Sequence, residues 1–161
     1  MTLFVNEPDW SATLEQAKAG YYKLILIVGP TGSGKSELLQ AAAHYNFTHL
    51  NLGEAFSREL LSKPLHLRSA EAEEHAIDLV DATGAARLAI DNTEVLFESR
   101  IRLNPLALLK RLSIDRLIVA TWTGTFDNSC LYYGIKGHPA YEEFIYTTED
   151  SFIIVPTNNL V

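Results

Sequence analysis

The sequence predicts an α/β fold: a parallel sheet of about five strands with helices on both faces. Three observations lead there. Short apolar runs alternate with helix-forming segments along the whole chain. Those runs ("KLILIV", "RLAID", "RLIVATW") are continuous rather than alternating, as in strands covered on both sides. A glycine-rich octet joins the first run to a segment rich in helix formers, as in a strand–turn–helix crossover.

Taken in order, "NEPDWSATLEQAKAG" predicts a helix. Asn6 or Asp9 can cap it, Pro8 suits its first turn and Gly20 its exit, with Trp10, Leu14 and Ala17 on one face. "KLILIV" is the first strand. After the octet, "KSELLQAAAHY" is a helix with Leu38, Leu39, Ala42 and Ala43 to bury. "THLNL" is a second strand and "GEAFSRELL" a helix. "SAEAEEHAIDLVDATG" is a further helix, with Ser69 as cap and Gly84 closing it. "ARLAID" and "DRLIVATW" are strands on either side of "NPLALLKRLS", a helix with Pro105 in its first turn. The tail predicts a short strand or turn at "LYY", a helical scrap after Pro139 and a last strand from Phe152 to Val155.

The 161 residues are read as one domain, 1–161, long enough to remove roughly 70% of the unfolded surface from water. A net charge of −7 argues against direct binding of nucleic acid or of an anionic membrane surface. One cysteine, Cys130, excludes an internal disulfide framework. With no apolar leader at the start and no apolar run of membrane-span length, the expected location is the cytoplasm.

The octet Gly29-Pro30-Thr31-Gly32-Ser33-Gly34-Lys35-Ser36 fits G-x-x-x-x-G-K-[ST] at every fixed position. Glycines let the backbone curl so that successive N–H groups meet phosphate oxygens, and the helix that follows adds unpaired donors and a positive dipole end. Gly29, Thr31, Gly32, Ser33, Gly34, Lys35 and Ser36 are therefore the expected nucleotide ligands, a Walker A motif. Lys35 would meet the β- and γ-phosphates, and Ser36 would ligate Mg²⁺. ATP with Mg²⁺ is the expected bound species. The partner acid for the metal is Asp91, which ends "RLAID" in the Walker B pattern.

The spacing resembles the additional-strand P-loop NTPases, including the AAA+ and RecA-like groups, without a C-terminal helical lid. In those families a catalytic glutamate directly follows the Walker B aspartate. Asn92 stands there in this chain, with Glu94 two residues on. An asparagine cannot take a proton from water but can orient one, so slow ATP hydrolysis or tight binding alone is expected. Thr121, read as the end of its strand, takes the place of the polar sensor residue. An arginine finger would have to come from Arg100, Arg102, Arg111 or another protein, because no arginine follows Arg116. Tyr21 and Tyr22, just ahead of the first strand, are candidates to stack on the base. His138, Tyr141 and Glu143 are read as turn packing, and Glu71, Glu73, Glu74 and His75 as a solvated helix face.

"LIVGPTGSGKSELL", "LNLGEAFSRELL", "LAIDNTEVLFE", "NPLALLKRLS", "LIVATWTGT" and "LYYGIKGHPAYEEF" together resemble BrxF, the small P-loop family of bacteriophage-exclusion (BREX) defence systems. The likeness runs from about Tyr22 to the end of the chain. It implies that Asn92 after Asp91 belongs to the family pattern. It also implies an accessory nucleotide-binding subunit that works with other BREX proteins, a methyltransferase and a larger ATPase among them, and a homo-oligomer is a further possible assembly. The alternative reading of the octet is a small-molecule P-loop kinase, although no arginine-bearing lid follows. A DNA-translocating motor is disfavoured by the charge.

Overall fold

The computed structural model describes residues 9–60, 65–97, 103–134, 141–146 and 151–157. Five strands form a parallel sheet: β1 (Leu24–Gly29), β2 (Thr48–Asn51), β3 (Arg87–Asp91), β4 (Leu117–Asp127) and β7 (Ile153–Pro156). Their spatial order is β2-β3-β4-β1-β7, so β4 lies between the first strand and the third. Two further strands, β5 (Cys130–Tyr133) and β6 (Glu142–Ile145), add to the far end of β4 in antiparallel pairing. Every residue of β1 is buried, as its uninterrupted apolar run requires.

The pleat divides the core in two. Ile25, Ile27, Val119 and Ile153 face one side, where Trp10, Leu14 and Ala17 of α1 (Trp10–Lys18) and Leu39 and Ala42 of α2 (Lys35–Ala43) cover them. Leu24, Leu26, Ile118, Ala120 and Ile154 face the other. There α3 (Leu52–Leu60), α4 (Leu65–Ala82) and α5 (Pro105–Leu112) pack on the sheet. Helices on both faces are thus as the alternation predicts.

Local chemistry sets most boundaries. The Asp9 carboxylate accepts from Ala12 N, and Asn104 accepts from Ala107 N ahead of Pro105. Gly84 leaves α4 with φ 61°. Leu38 and Ala43, predicted core residues, are only partly buried. Asn6, Pro8 and Pro139 lie outside the described residues.

Three expectations are corrected. Helix α4 begins at Leu65, so Ser69 lies within it rather than capping it; the run "LHLR" ahead of Ser69 contains nothing to stop a helix. The fourth strand does not end at Thr121 but continues to Asp127. After Pro139 the described chain forms β6, not a helix, because Leu131 and Tyr133 of β5 pair with Phe144 and Glu142 and supply a ladder.

Candidate nucleotide-binding site

The C-terminal ends of β1, β3, β4 and β7 converge at one edge of the sheet, where open α/β sheets bind their ligands. From β1 the chain passes through residues 30–34 into α2. Gly32 and Gly34 hold φ of 78° and 94°, a left-handed conformation that side chains resist. Gly34 occupies the cap position of α2, so no side chain at that position caps the first N–H groups of the helix. Thr31 is exposed and lines the cavity beside the loop.

Lys35 is 8% exposed, and its Nζ donates to Pro30 O at 2.8 Å, bridging the loop. Burial holds its ammonium below the ordinary lysine value, against the opposing pull of the Glu94 and Asp91 carboxylates. One residue on, Ser36 Oγ donates to Asp91 Oδ2 at 3.1 Å. The two expected metal ligands are therefore neighbours. A hydroxyl and a carboxylate side by side, with a cradle for phosphate oxygens next to them, is a donor set that fits Mg²⁺. Among the described residues no three His, Cys, Asp or Glu side chains gather as a metal cluster, and a Mg²⁺ that completes its shell with phosphate and water needs none.

Asp91 is held from two more directions: Thr121 Oγ1 donates to its Oδ1 at 3.3 Å, and Asn92 N donates to the same oxygen at 2.9 Å. Thr121 is buried mid-strand, and its carbonyl accepts from Thr93 Oγ1 at 2.6 Å. Its hydroxyl thus orients Asp91.

Positions 92 and 94 part company. Asn92 has φ 55°, and Gly53 at the start of α3 makes room for it: a Cβ on Gly53 would stand 3.0 Å from both the Cβ and the carbonyl oxygen of Asn92. This left-handed residue turns the chain into a 3₁₀ helix, Thr93–Phe97. Glu94 emerges on the loop side, where Thr123 Oγ1 donates to its Oε1 at 2.6 Å. A cavity of about 440 Å³ opens there, lined by Pro30, Thr31, Glu94, Thr123 and Tyr133 among others. Burial, then the Glu94 charge, pushes the Tyr133 phenol up to about 12.

Other candidates lie elsewhere. Tyr21 and Tyr22 precede β1, at the end of the sheet opposite the loop, roughly 20 Å away at the usual strand rise. They stack edge-on to each other, and Lys110 Nζ lies 5.1 Å from the Tyr22 ring. They cannot reach a base bound at the loop. Arg111 pairs with Glu73 at that same far end, while Arg100, Arg102 and His138 lie outside the described residues. Tyr141 donates to Glu143 on the hairpin, and His75 packs on Phe56.

Sequence reasoning missed Thr123 and Thr157. Thr123 stood two residues beyond the assigned end of its strand. Thr157 is buried against the loop, its Oγ1 donating to Ser33 Oγ at 2.8 Å. Only the polar residue directly after the last apolar run could have flagged it.

No protein-family model matches this chain, and no curated protein matches it. Among solved structures the chain is similar to that of C. elegans PCH-2, with a TM-score of 0.49 and 17% identity over 92% of this chain and 41% of that one. The chain spans about two fifths of that protein's length. Among the described residues, no helix is long and apolar enough to cross a membrane.

Proposed function

We propose that this chain is an additional-strand P-loop NTPase domain that binds Mg-ATP at residues 29–36 and hydrolyses it slowly. The observation that carries the reading is the 3.1 Å contact of Ser36 with Asp91 beside a lysine folded into its own glycine loop. The placement of β4 between β1 and β3 supports the additional-strand class. Mg²⁺, when bound, neutralises charge on the β- and γ-phosphate oxygens.

The chain's own residues divide the remaining work. The loop N–H groups and the start of α2 grip phosphate oxygens. Lys35 leaves Pro30 O for the β- and γ-phosphates. Glu94, held by Thr123, takes the proton of the attacking water, the role that a residue at position 92 fills in related enzymes. Asn92 serves as the left-handed turn that delivers Glu94. Turnover is slow because Asn92 stands where related enzymes carry the base, and among the described residues Arg58, Arg87, Arg111 and Arg116 are engaged by Glu54, Tyr45 O, Glu73 and Asp81. A stabilising arginine is worth about 10³–10⁵ in turnover.

The blocks that resemble BrxF lead us to place this activity in a BREX phage-defence system, as a subunit acting with the other BREX proteins. Phosphate release from Mg-ATP across a protein concentration series tests the reading, with Lys35→Ala as control. Release that depends on Lys35 supports it; equal release from both proteins sinks it. In cells carrying the defence system, the same substitution is expected to abolish phage protection.

A second reading, phosphoryl transfer to a small molecule, has one observation in its favour. The cavity of about 440 Å³ beside the loop far exceeds the roughly 30 Å³ share of one water. Label from γ-phosphate recovered in an organic product, rather than as inorganic phosphate, would favour it.

A further inference from the structure

The first glycine of the octet differs from the other two. Gly32 and Gly34 are left-handed, whereas Gly29 is not among the residues of positive φ. What Gly29 lacks is space: a Cβ there would overlap the hydroxyl oxygens of Thr157 and Ser33. Thr157 follows β7, whose Pro156 pairs with Val28, and its N–H extends that register by donating to Val28 O at 2.8 Å. This backbone bond sets the side chain over Gly29. Thr157 is 2% exposed, and its hydroxyl is satisfied by Ser33 Oγ, 124 residues away in sequence.

We propose that Thr157 is a positioning residue for the nucleotide loop, tying the conformation of residues 32–34 to the C-terminal strand. The inference rests on the nucleotide reading above. Besides the loop's own backbone bond from Ser33 N to Pro30 O at 3.2 Å, two side-chain contacts brace it, Lys35 Nζ on Pro30 O and Thr157 Oγ1 on Ser33 Oγ. The first is surrendered when Lys35 turns to a phosphate. The second remains, so Thr157 holds the middle of the arc while the triphosphate is bound. Whatever displaces the end of β7 would loosen the loop, and by reciprocity nucleotide would hold that strand end in place.

The experiment is a double-mutant cycle on the affinity for Mg-ADP, measured by calorimetric titration of the full chain. Thr157→Val removes the hydroxyl and keeps the shape; Ser33→Ala removes its partner; Thr157→Ser restores the donor. Each deletion is expected to weaken binding by about three- to tenfold, the worth of one net hydrogen bond. The double variant should be no weaker than either single one, and Thr157→Ser should bind as the wild type does. A purely structural role would lower the melting temperature without this non-additivity or rescue. Wild-type affinity in Thr157→Val, or losses that multiply in the double variant, would overturn the proposal. A wild-type chain that binds no nucleotide overturns the underlying reading instead, and this one with it.

Discussion

Strand β4 does two jobs along its length. From Ile118 to Thr123 it lies beside β1 in the parallel sheet, and from Gly124 to Asp127 it pairs with β5 in an antiparallel hairpin. The first half is buried among aliphatic side chains and presents Thr121 to Asp91. The second is held by aromatic rings: Tyr133 stacks on Phe97 at 3.5 Å, and Trp122 meets Phe97 and Phe144 edge-on while its Nε1 donates to Tyr132 O. Thr123 sits at the change of partner and carries Glu94. The difference teaches that the parallel half fixes Asp91 of β3 through Thr121, while the hairpin shapes the wall of the cavity facing it.

Trp122 is the largest fully buried side chain at that junction, and its truncation should have the largest effect on the comparison. Trp122→Ala is expected to cost about 3–5 kcal/mol in a denaturant melt. Loss of under about 1 kcal/mol would mean that the hairpin does not lean on the sheet.

The next test separates positions 92 and 94. Glu94→Gln should slow phosphate release by about a hundredfold or more, the usual worth of a general base. Asn92→Gly keeps the left-handed turn and should leave the rate within about threefold, since no proton passes through it. The reverse ranking would return the catalytic role to Asn92.

How much of this was legible in the sequence follows from the same division. The parallel strands, the loop and Asp91 announce themselves through continuous apolar runs, fixed glycine spacing and one acid at a strand end. All of these are local signals. The hairpin's signal was local too, in "TGTFDNSCLYY": Asn128 and Ser129 are both left-handed, as a two-residue turn of type I′ requires. Thr121 read as the end of its strand because the apolar run gives out around it. What carries the strand on is pairing with β5 and the rings of Phe97 and Phe144, contacts that composition cannot reveal. Thr157 was hidden for the same reason, since its partner Ser33 lies at the other end of the chain. Glu94 could be named but not placed without the φ of Asn92.

A smaller effect is expected from that turn itself. Asn92→Val forces a β-branched residue into the left-handed region and should cost about 1–2 kcal/mol, whereas Asn92→Gly should not destabilise. Equal stability of both would show that the turn relaxes.

The smallest expected effect concerns Lys35 in the unliganded protein. Its folded value lies below the ordinary lysine value. Between the two the unfolded chain binds more protons, so stability should rise with pH across that window. Lys35→Met should flatten this rise in alkaline melts; an identical slope in both proteins would contradict the burial argument.

The central claim is that residues 29–36 grip a triphosphate through Lys35. The most direct measurement is the melting temperature of wild type and Lys35→Ala with and without Mg-ATP. At a ligand level of 100 times Kd the wild type should gain about 2.7 kcal/mol, a rise of roughly 5–10 °C for a domain of this size. The account predicts that rise in the wild type and its loss in Lys35→Ala. An equal rise in both, or none in the wild type, would contradict it.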